Sequence, residues 1–209
     1  MLRKMHAVSI VVAFYASSAI GAQQELTLTL QSSNHETRSE TFRNRVQSSI
    51  GFRHTHELKS FSIEMDASYS SIRAPDILYK QLYTNVLLSP PLGSTALINF
   101  KAGFGAITII DVQSTEDSRS LSTAPTITGV ATINKTFLNQ NFYLSNILTS
   151  TVGNTSFIES STKYECFGGV KKGRFDYGVG YKKEKLNFGK NLSKSLSSDG
   201  VFISAKVTF

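Results

Sequence analysis

The chain has 209 residues, and 22 Lys and Arg residues against 15 Asp and Glu residues give a formal net charge of +7. No basic stripe is interleaved with aromatic residues at a known motif spacing, so the charge does not predict nucleic-acid binding. Cys166 is the single cysteine, which excludes an internal disulfide framework. The length suffices for one domain with a sizeable core.

The first 22 residues have the layout of a cleavable secretory signal. Arg3 and Lys4 precede an apolar run at 7–15, and small residues follow up to Ala22. The apolar run is shorter than the roughly 20 residues that a membrane-spanning helix needs. We therefore expect residues 1–22 to be a signal peptide and 23–209 to form the exported domain; a buried N-terminal helix is the alternative.

Period-two alternation dominates the rest of the chain. In "FSIEMDASYS", residues 61–70, apolar and polar side chains alternate strictly, and a strand separates them onto two faces. We predict ten strands at 24–33, 44–54, 59–70, 78–89, 95–112, 126–137, 141–152, 160–172, 175–187 and 200–209. The sixth and seventh have the weakest patterns.

The connections between these strands alternate between tight turns and longer polar loops. "HTHEL", "SPPLGS", "LNQN" and "KKGR" are predicted as tight turns, and the other five connections are mostly longer and more polar. All four prolines are predicted to lie in connections, where they remove no hydrogen bond from a sheet. Short turns at one end and longer loops at the other are typical of outer-membrane barrels.

The two faces of the predicted strands differ in a way that favours a barrel in lipid over a soluble β-sandwich. The polar face often carries small residues, such as Ser68, Gly103 and Gly178, which fit the concave inside of a narrow barrel. The apolar face carries aromatic residues towards strand ends, namely Phe61, Tyr69, Tyr177, Tyr181 and Phe209. Such residues suit the interface between membrane and water, although Trp is absent.

The last nine residues, "VFISAKVTF", resemble the carboxy-terminal signature of bacterial outer-membrane β-barrel proteins. The resemblance implies an all-β fold, a closed antiparallel transmembrane β-barrel of about 10 strands (8–12), in the outer membrane of a Gram-negative bacterium. It also implies that Phe209 belongs to a signal that the barrel assembly machinery reads. An even strand number would let the last strand pair with the first, since a sheet in lipid must close.

Charged residues on the predicted inner face suggest either a narrow channel or a salt-bridged plug. The predicted lumen-lining charges are Arg45, Arg53, Glu64, Asp66, Lys101, Glu165, Lys182 and Lys206, together with Lys163, Lys171, Asp176 and Glu184. A small porin-like channel for solutes or ions is the first hypothesis for function. A structural or surface-binding barrel that acts through its outer loops is the alternative.

The sequence predicts no enzyme, metal site or cofactor. His35 is expected in an outer loop, and His54 and His56 in an inner turn, where two ligands make an incomplete metal site. Glu64 and Asp66 share one strand face, and their expected role is to pair with lumenal cations. Cys166 is expected on the lipid-facing side, as a small apolar residue.

Lysines near the last outer loop suggest a contact with lipid phosphates. Lys183, Lys185, Lys190 and Lys194 are expected at the outer rim, where cations meet an anionic leaflet. The expected partners are therefore outer-membrane lipid and lipopolysaccharide; a solvated charged loop is the alternative.

Overall fold

The computed structural model describes residues 22–36, 41–74, 77–90, 97–114, 118–138, 140–155, 157–189 and 195–209. They form a closed antiparallel barrel of ten strands, which confirms the predicted fold class and strand number. The strands are β1 (Ala22–Glu36), β2 (Thr41–Glu57), β3 (Ser62–Ala74), β4 (Ile77–Ser89), β5 (Ile98–Ser114), β6 (Ser118–Phe137), β7 (Gln140–Thr151), β8 (Ile158–Lys172), β9 (Phe175–Phe188) and β10 (Ser195–Thr208). Residues 1–21 of the predicted signal peptide lie outside the described residues, so the signal peptide remains a prediction.

The barrel closes by pairing β10 with β1, and every other strand pairs with its neighbours in sequence. At this seam Leu28 lies opposite Ala205, and the pairing continues to Glu25 and Thr208. The backbone N–H of Phe209 donates to the carbonyl of Gln24 at 2.9 Å, so the pairing reaches the last residue. Closure leaves no open sheet edge, as a barrel in lipid requires.

The two ends of the barrel are distinguished by the connections that they carry. The inner end is defined here as the one that holds Ala22 and Thr208, and the outer end as the one that holds Glu36 and Ser195. Outward-facing aromatic residues are concentrated at the inner end, where they include Phe61, Phe137, Phe175, Tyr177 and Phe209. Tyr69, Tyr164 and Tyr181 are also exposed but lie close to the middle of their strands.

The barrel is apolar on the outside and has many polar and charged residues inside, unlike a soluble protein. Leu28, Phe104, Val179 and Ile203 are all more than half exposed on the outer wall. Buried positions include many polar and charged residues, with Glu64 among them. No helix long and apolar enough to span a membrane occurs in the part of the chain that the structure describes.

Two strands begin earlier than the alternation predicted. Strand β6 begins at Ser118 rather than 126, and β10 begins at Ser195 rather than 200. Their extra residues are mostly Ser and Thr, which carry little apolar signal, yet the backbone ladders continue through them.

The predicted placement of Pro125 in a connection is therefore wrong, because Pro125 lies within β6 opposite Ala106. Its carbonyl accepts from the N–H of Val152, the residue directly after β7. In a strand, the nitrogen and the carbonyl of one residue point to the same side, so the Pro125 nitrogen also points to the side of β7. Strand β7 has ended at this level and needs no donor there. Pro125 is tolerated because no ladder bond of β5 is lost.

The predicted contrast between short inner turns and long outer loops is also wrong. The connection at 90–97, predicted as tight, spans eight residues between β4 and β5 at the inner end. At the outer end, 37–40, 75–76 and 115–117 are connections of two to four residues, and only 152–157 and 189–194 reach six residues. His54 and His56, expected in a turn, lie within β2.

Candidate functional site

The interior of the barrel changes in character from the inner to the outer end. A cavity with a volume of about 370 Å³, called the vestibule below, is lined by polar and charged residues that include Arg53, Lys101 and Lys206. Beyond it, side chains from opposite walls meet in a set of polar contacts. Beyond those contacts, towards the outer end, the interior is filled by apolar residues.

Glu64 on β3 is the centre of the ionic network in the vestibule. Oε1 of its carboxylate lies 3.1 Å from Nε of Arg53, Oε2 accepts from Nζ of Lys101, and its side chain is only 4% exposed. Arg53 also lies 3.4 Å from Glu25, which in turn lies 3.5 Å from Lys206. A buried carboxylate is tolerable only with such partners, because an unpaired buried charge is very costly.

The same network continues along the other wall of the barrel. Lys206 on β10 lies 3.2 Å from the carboxylate of Asp176 on β9. The hydroxyl of Tyr143 on β7 donates to Asp176 at 2.6 Å. Together with Glu64 and its partners, these contacts tie β1, β2, β3 and β5 to β7, β9 and β10.

A second chain of hydrogen bonds passes over β5 at Gly103 and Gly105, which have no side chains to block it. Asn85 donates to Asp66 at 3.2 Å and accepts from Thr128 at 2.9 Å, although β5 lies between the strands of Asn85 and Thr128. A Cβ on Gly105 would lie 2.7 Å from Oδ1 of Asn85 and would overlap the carbonyl oxygen of Thr84. A side chain at this position would therefore block the contact and collide with the backbone of β4.

Charges in this interior are balanced. Among the described residues, the cations that line the vestibule are Arg53, Lys101, Lys163, Lys171, Lys182 and Lys206. The carboxylates that line it or pair with its lining are Glu25, Glu64, Asp66, Glu165, Asp176 and Glu184. Equal numbers of the two signs give no net field that would favour anions or cations.

The polar contacts above the vestibule join opposite walls of the barrel. Gln81 and Tyr83 on β4 donate to Oε1 of Glu184 on β9, at 2.5 and 2.9 Å. Four strands separate β4 from β9 in either direction around the barrel, so these bonds cross its full width. Tyr83 also lies 3.1 Å from the hydroxyl of Ser161, and Lys182 pairs with Glu184 at 3.1 Å. We call these the cross-lumen contacts.

An apolar plug fills the outer part of the interior. Tyr79 on β4 meets Phe188 on β9 edge to face with 6.0 Å between ring centroids, and Phe157 packs against Phe188 at 5.3 Å. The remaining members of the plug, all nearly inaccessible to solvent, are Ile72, Ile107, Ile109, Val112, Ala124, Ile158, Leu186 and Leu196.

His35 lies inside the barrel, so its predicted placement in an outer loop is wrong. It belongs to β1 and is fully buried, with Nε2 at 3.0 Å from Ser33 Oγ and accepting from the amide of Gln47 at 2.6 Å. The prediction failed because "SSNHE" reads as a polar loop, whereas Ser33 and His35 continue the inward register of Thr29 and Gln31. Ser33 is also buried, so this pair is not exposed to a substrate from outside.

The structure brings ten of the twelve predicted lumen charges to the vestibule, and Glu184 pairs with one of them, Lys182. The ten are Arg53, Glu64, Asp66, Lys101, Lys163, Glu165, Lys171, Asp176, Lys182 and Lys206. Arg45 shares their register on β2 but is exposed towards the outer end, beyond the vestibule. Whether these residues act as a pore or as a plug remains a prediction.

The predicted outer-rim residues are described only in part. Lys183 and Lys185 are exposed on the outward face of β9, whereas Lys190 and Lys194 lie outside the described residues. Cys166 is partly exposed on β8, between Asn146 and Tyr181 of the neighbouring strands. No group of three or more His, Cys, Asp or Glu residues that could hold a metal occurs among the described residues.

Sequence reasoning missed several interior residues that the structure connects. Glu25 continues the polar face of Thr27 and Thr29, so the alternation contained a signal for it. Glu184 was predicted on the inner face, but its contact with Tyr83 was not, because the two residues are 101 positions apart and no local pattern links them.

A closed ten-strand barrel with an apolar outer wall and a charged interior defines a class, the transmembrane β-barrels of outer-membrane type. Neither a protein-family model nor the sequence of a curated protein matches this chain.

Solved structures that are similar to this chain include bacterial outer-membrane proteins. LpxR from Salmonella typhimurium has a TM-score of 0.49 and 10% identity, over 90% of this chain and 99% of that one. An outer membrane channel from Pseudomonas putida F1 has a TM-score of 0.48 and 8% identity, over 93% and 98%. The outer membrane protein OprG from Pseudomonas aeruginosa has a TM-score of 0.38 and 13% identity, over 90% and 96%. Identities this low assign no function to this chain.

Proposed function

We propose that this protein is an outer-membrane barrel whose lumen is closed to solutes at rest, and that it acts through its outward surface and its outer end. The observation that carries this proposal is the pair of hydrogen bonds from Gln81 and Tyr83 on β4 to Glu184 on the opposite strand β9. An open porin keeps its opposite walls apart, whereas here they are bonded to each other.

The physical cost of opening supports a closed resting state. A solute passing through the lumen must break the bonds to Glu184, which is buried with Lys182 as its cation partner. It must then separate Tyr79 from Phe188 and pass between the apolar side chains of the plug. Polar solutes lose their hydration there without compensation, which is unfavourable.

A gated channel for small polar solutes is the second candidate, and the vestibule is the observation that favours it. A cavity of about 370 Å³ is unnecessary for a barrel that serves only as a filled structural element. Because its charges are balanced and many lining residues are Ser, Thr and Asn, such a channel would favour neutral polar solutes over ions. The cross-lumen contacts and the apolar plug would then be the gate.

The expected partners follow from the location. Lys183 and Lys185 are exposed on the outward face of β9, and their expected contact is with lipopolysaccharide phosphates, which attract cations. Phe209 ends the seam strand and is the residue that the barrel assembly machinery would read. Export through the N-terminal signal and the absence of enzymatic activity also belong to this proposal; the burial of the Ser33–His35 pair supports the latter.

Planar bilayer conductance of the refolded protein tests the proposal. We expect the wild-type barrel to insert without conductance steps, and the triple variant Tyr79→Ala, Glu184→Ala, Phe188→Ala to produce steps, because the cross-lumen contacts and the aromatic contact are removed together. Phe104→Ala on the outward face is the matched control and should stay silent. Wild-type steps that scale with salt concentration would reject the closed lumen and favour the channel.

A further inference from the structure

The outer wall of the barrel carries an apolar depression. Its volume is about 530 Å³, and it lies on the face that meets lipid, across β4 to β8. Its floor consists of the small residues Ala102, Gly129 and Ala131, and nothing lies within 4 Å of a Cβ placed on Gly129. We call this depression the wall groove.

The wall groove follows one row of cross-strand neighbours. Leu88 lies opposite Ala102, which lies opposite Gly129; Gly129 lies opposite Leu148, and Leu148 opposite Tyr164. Leu88 is one residue from the inner end of β4, whereas Tyr164 lies in the outer half of β8, so the groove ascends obliquely. Its continuity with the surrounding apolar wall places it against hydrocarbon chains.

Polar groups stand at the upper end of the wall groove, which is unusual on a face that meets lipid. The hydroxyl of Tyr164 donates to Oδ1 of Asn146 at 2.9 Å, and Asn146 lies opposite Cys166. The Asn146 side chain also carries an Nδ2 donor, and its residue is partly exposed on this face. A donor that faces hydrocarbon is stabilised by any acceptor that a lipid brings to it.

A cation continues the row beyond Tyr164. Lys183 on β9 lies directly opposite Tyr164, and both side chains point outwards. Lys185 follows two residues later on the same face, and Asp199 lies opposite Lys183 on β10 and accepts from Tyr181. Apolar floor, hydrogen-bond donor and cation therefore follow one another in the order of the parts of an anionic lipid: acyl chain, ester carbonyl and phosphate.

We propose that the wall groove binds an anionic phosphorylated lipid of the leaflet at the outer end. One acyl chain lies over Ala102, Gly129 and Ala131, its carbonyl accepts from Asn146, and the phosphate pairs with Lys183. The distance from β7 to β4 is three strand spacings, about 14 Å, which accommodates a chain of moderate length. The apolar groove selects for a hydrocarbon chain, and Lys183 selects for the negative headgroup.

Photo-crosslinking with two lipids that carry the same photoreactive acyl chain but different headgroups tests this inference. Refolded full-length protein is placed in phosphatidylcholine vesicles that contain a lipid with a photoreactive acyl chain, as phosphatidylglycerol or as phosphatidylcholine. We expect phosphatidylglycerol to label peptides from β5 to β8 more strongly than peptides from the other strands. Phosphatidylcholine should label the β5 to β8 peptides less than phosphatidylglycerol does. Uniform labelling around the barrel would overturn the groove, and equal labelling by both lipids would overturn the headgroup contact.

Variants separate the two parts of the site. Gly129→Leu should abolish the excess labelling because it fills the floor, whereas Ala205→Leu, on the outward face of β10, should preserve it. Lys183→Gln should remove the preference for phosphatidylglycerol and leave labelling by phosphatidylcholine unchanged. Ala131→Leu replaces Gly129→Leu if that variant does not fold, as judged by gel mobility without heating. Undiminished labelling of a folded groove variant would reject the proposal, whatever the conductance measurement gives.

Discussion

Two glycines with opposite surroundings allow a sharp test of how the barrel packs. Gly105 on β5 faces the interior, where a Cβ would overlap the carbonyl oxygen of Thr84 and lie 2.7 Å from Oδ1 of Asn85. Gly129 on β6 faces outwards, and a Cβ there meets nothing within 4 Å. Alanine at these two sites therefore adds the same atoms to a crowded and to an open position.

The magnitudes follow from these contacts. Forcing an extra methyl group into a packed site costs about 1–3 kcal/mol, and the cost is at the upper end where backbone must move, as at Thr84. At Gly129 no collision occurs, and the lower entropy of the unfolded chain should stabilise the alanine variant by about 0.4–1 kcal/mol. We therefore expect Gly105→Ala to be less stable than Gly129→Ala by about 2–4 kcal/mol.

Urea unfolding of both variants in the same lipid vesicles measures this difference as the free energy of unfolding. Loss of the Asn85–Thr128 hydrogen bond, bridged over Gly105, should accompany the loss of stability. Equal stabilities for the two alanine variants would show that the close approach of β4 to β5 is not present in the folded protein.

Other predictions concern the ionic network and the seam. Glu64→Ala should lower the free energy of unfolding by about 3–5 kcal/mol because it leaves Arg53 and Lys101 without their buried partner, whereas Lys80→Ala should cost about 0–1 kcal/mol. Lys80 pairs with Asp111 at 2.9 Å, but the two side chains are 44% and 51% exposed, so little stability is expected from this pair. If urea unfolding gave similar losses of stability for Glu64→Ala and Lys80→Ala, the buried network would be contradicted. Deleting Phe209 should reduce the yield of assembled barrel in the outer membrane of a bacterial host, because the bond to Gln24 and the terminal aromatic group are lost. An unchanged yield of heat-modifiable barrel would reject this role.

The strands themselves were predictable because alternation reports burial on one face. Residues 61–70 alternate cleanly, since one face meets lipid and the other meets the lumen, and β3 pairs there as expected. The alternation of apolar and polar residues is lost where strands extend beyond the apolar part of the outer wall. His35 and Pro125 lie in strand segments built from Ser and Thr, which resemble loops in composition.

The closure of the lumen could not be predicted for a different reason. Alternation places Gln81, Tyr83 and Glu184 on inner faces, but it does not say which inner residues meet across the barrel. That depends on the strand number, on the register of every ladder and on side-chain length together. Charge signs alone left a channel and a plug equally open, because Glu64 or Lys101 would line either.

Side chains from opposite walls bond to each other across the lumen, and a double-mutant cycle tests this contact most directly. Tyr83→Phe and Glu184→Ala remove the two ends of a hydrogen bond of 2.9 Å between β4 and β9. The free energies of unfolding of the wild type, both single variants and the double variant should give a coupling energy of about 0.5–3 kcal/mol. Additive effects of the two substitutions would contradict the contact and leave the lumen open at this level.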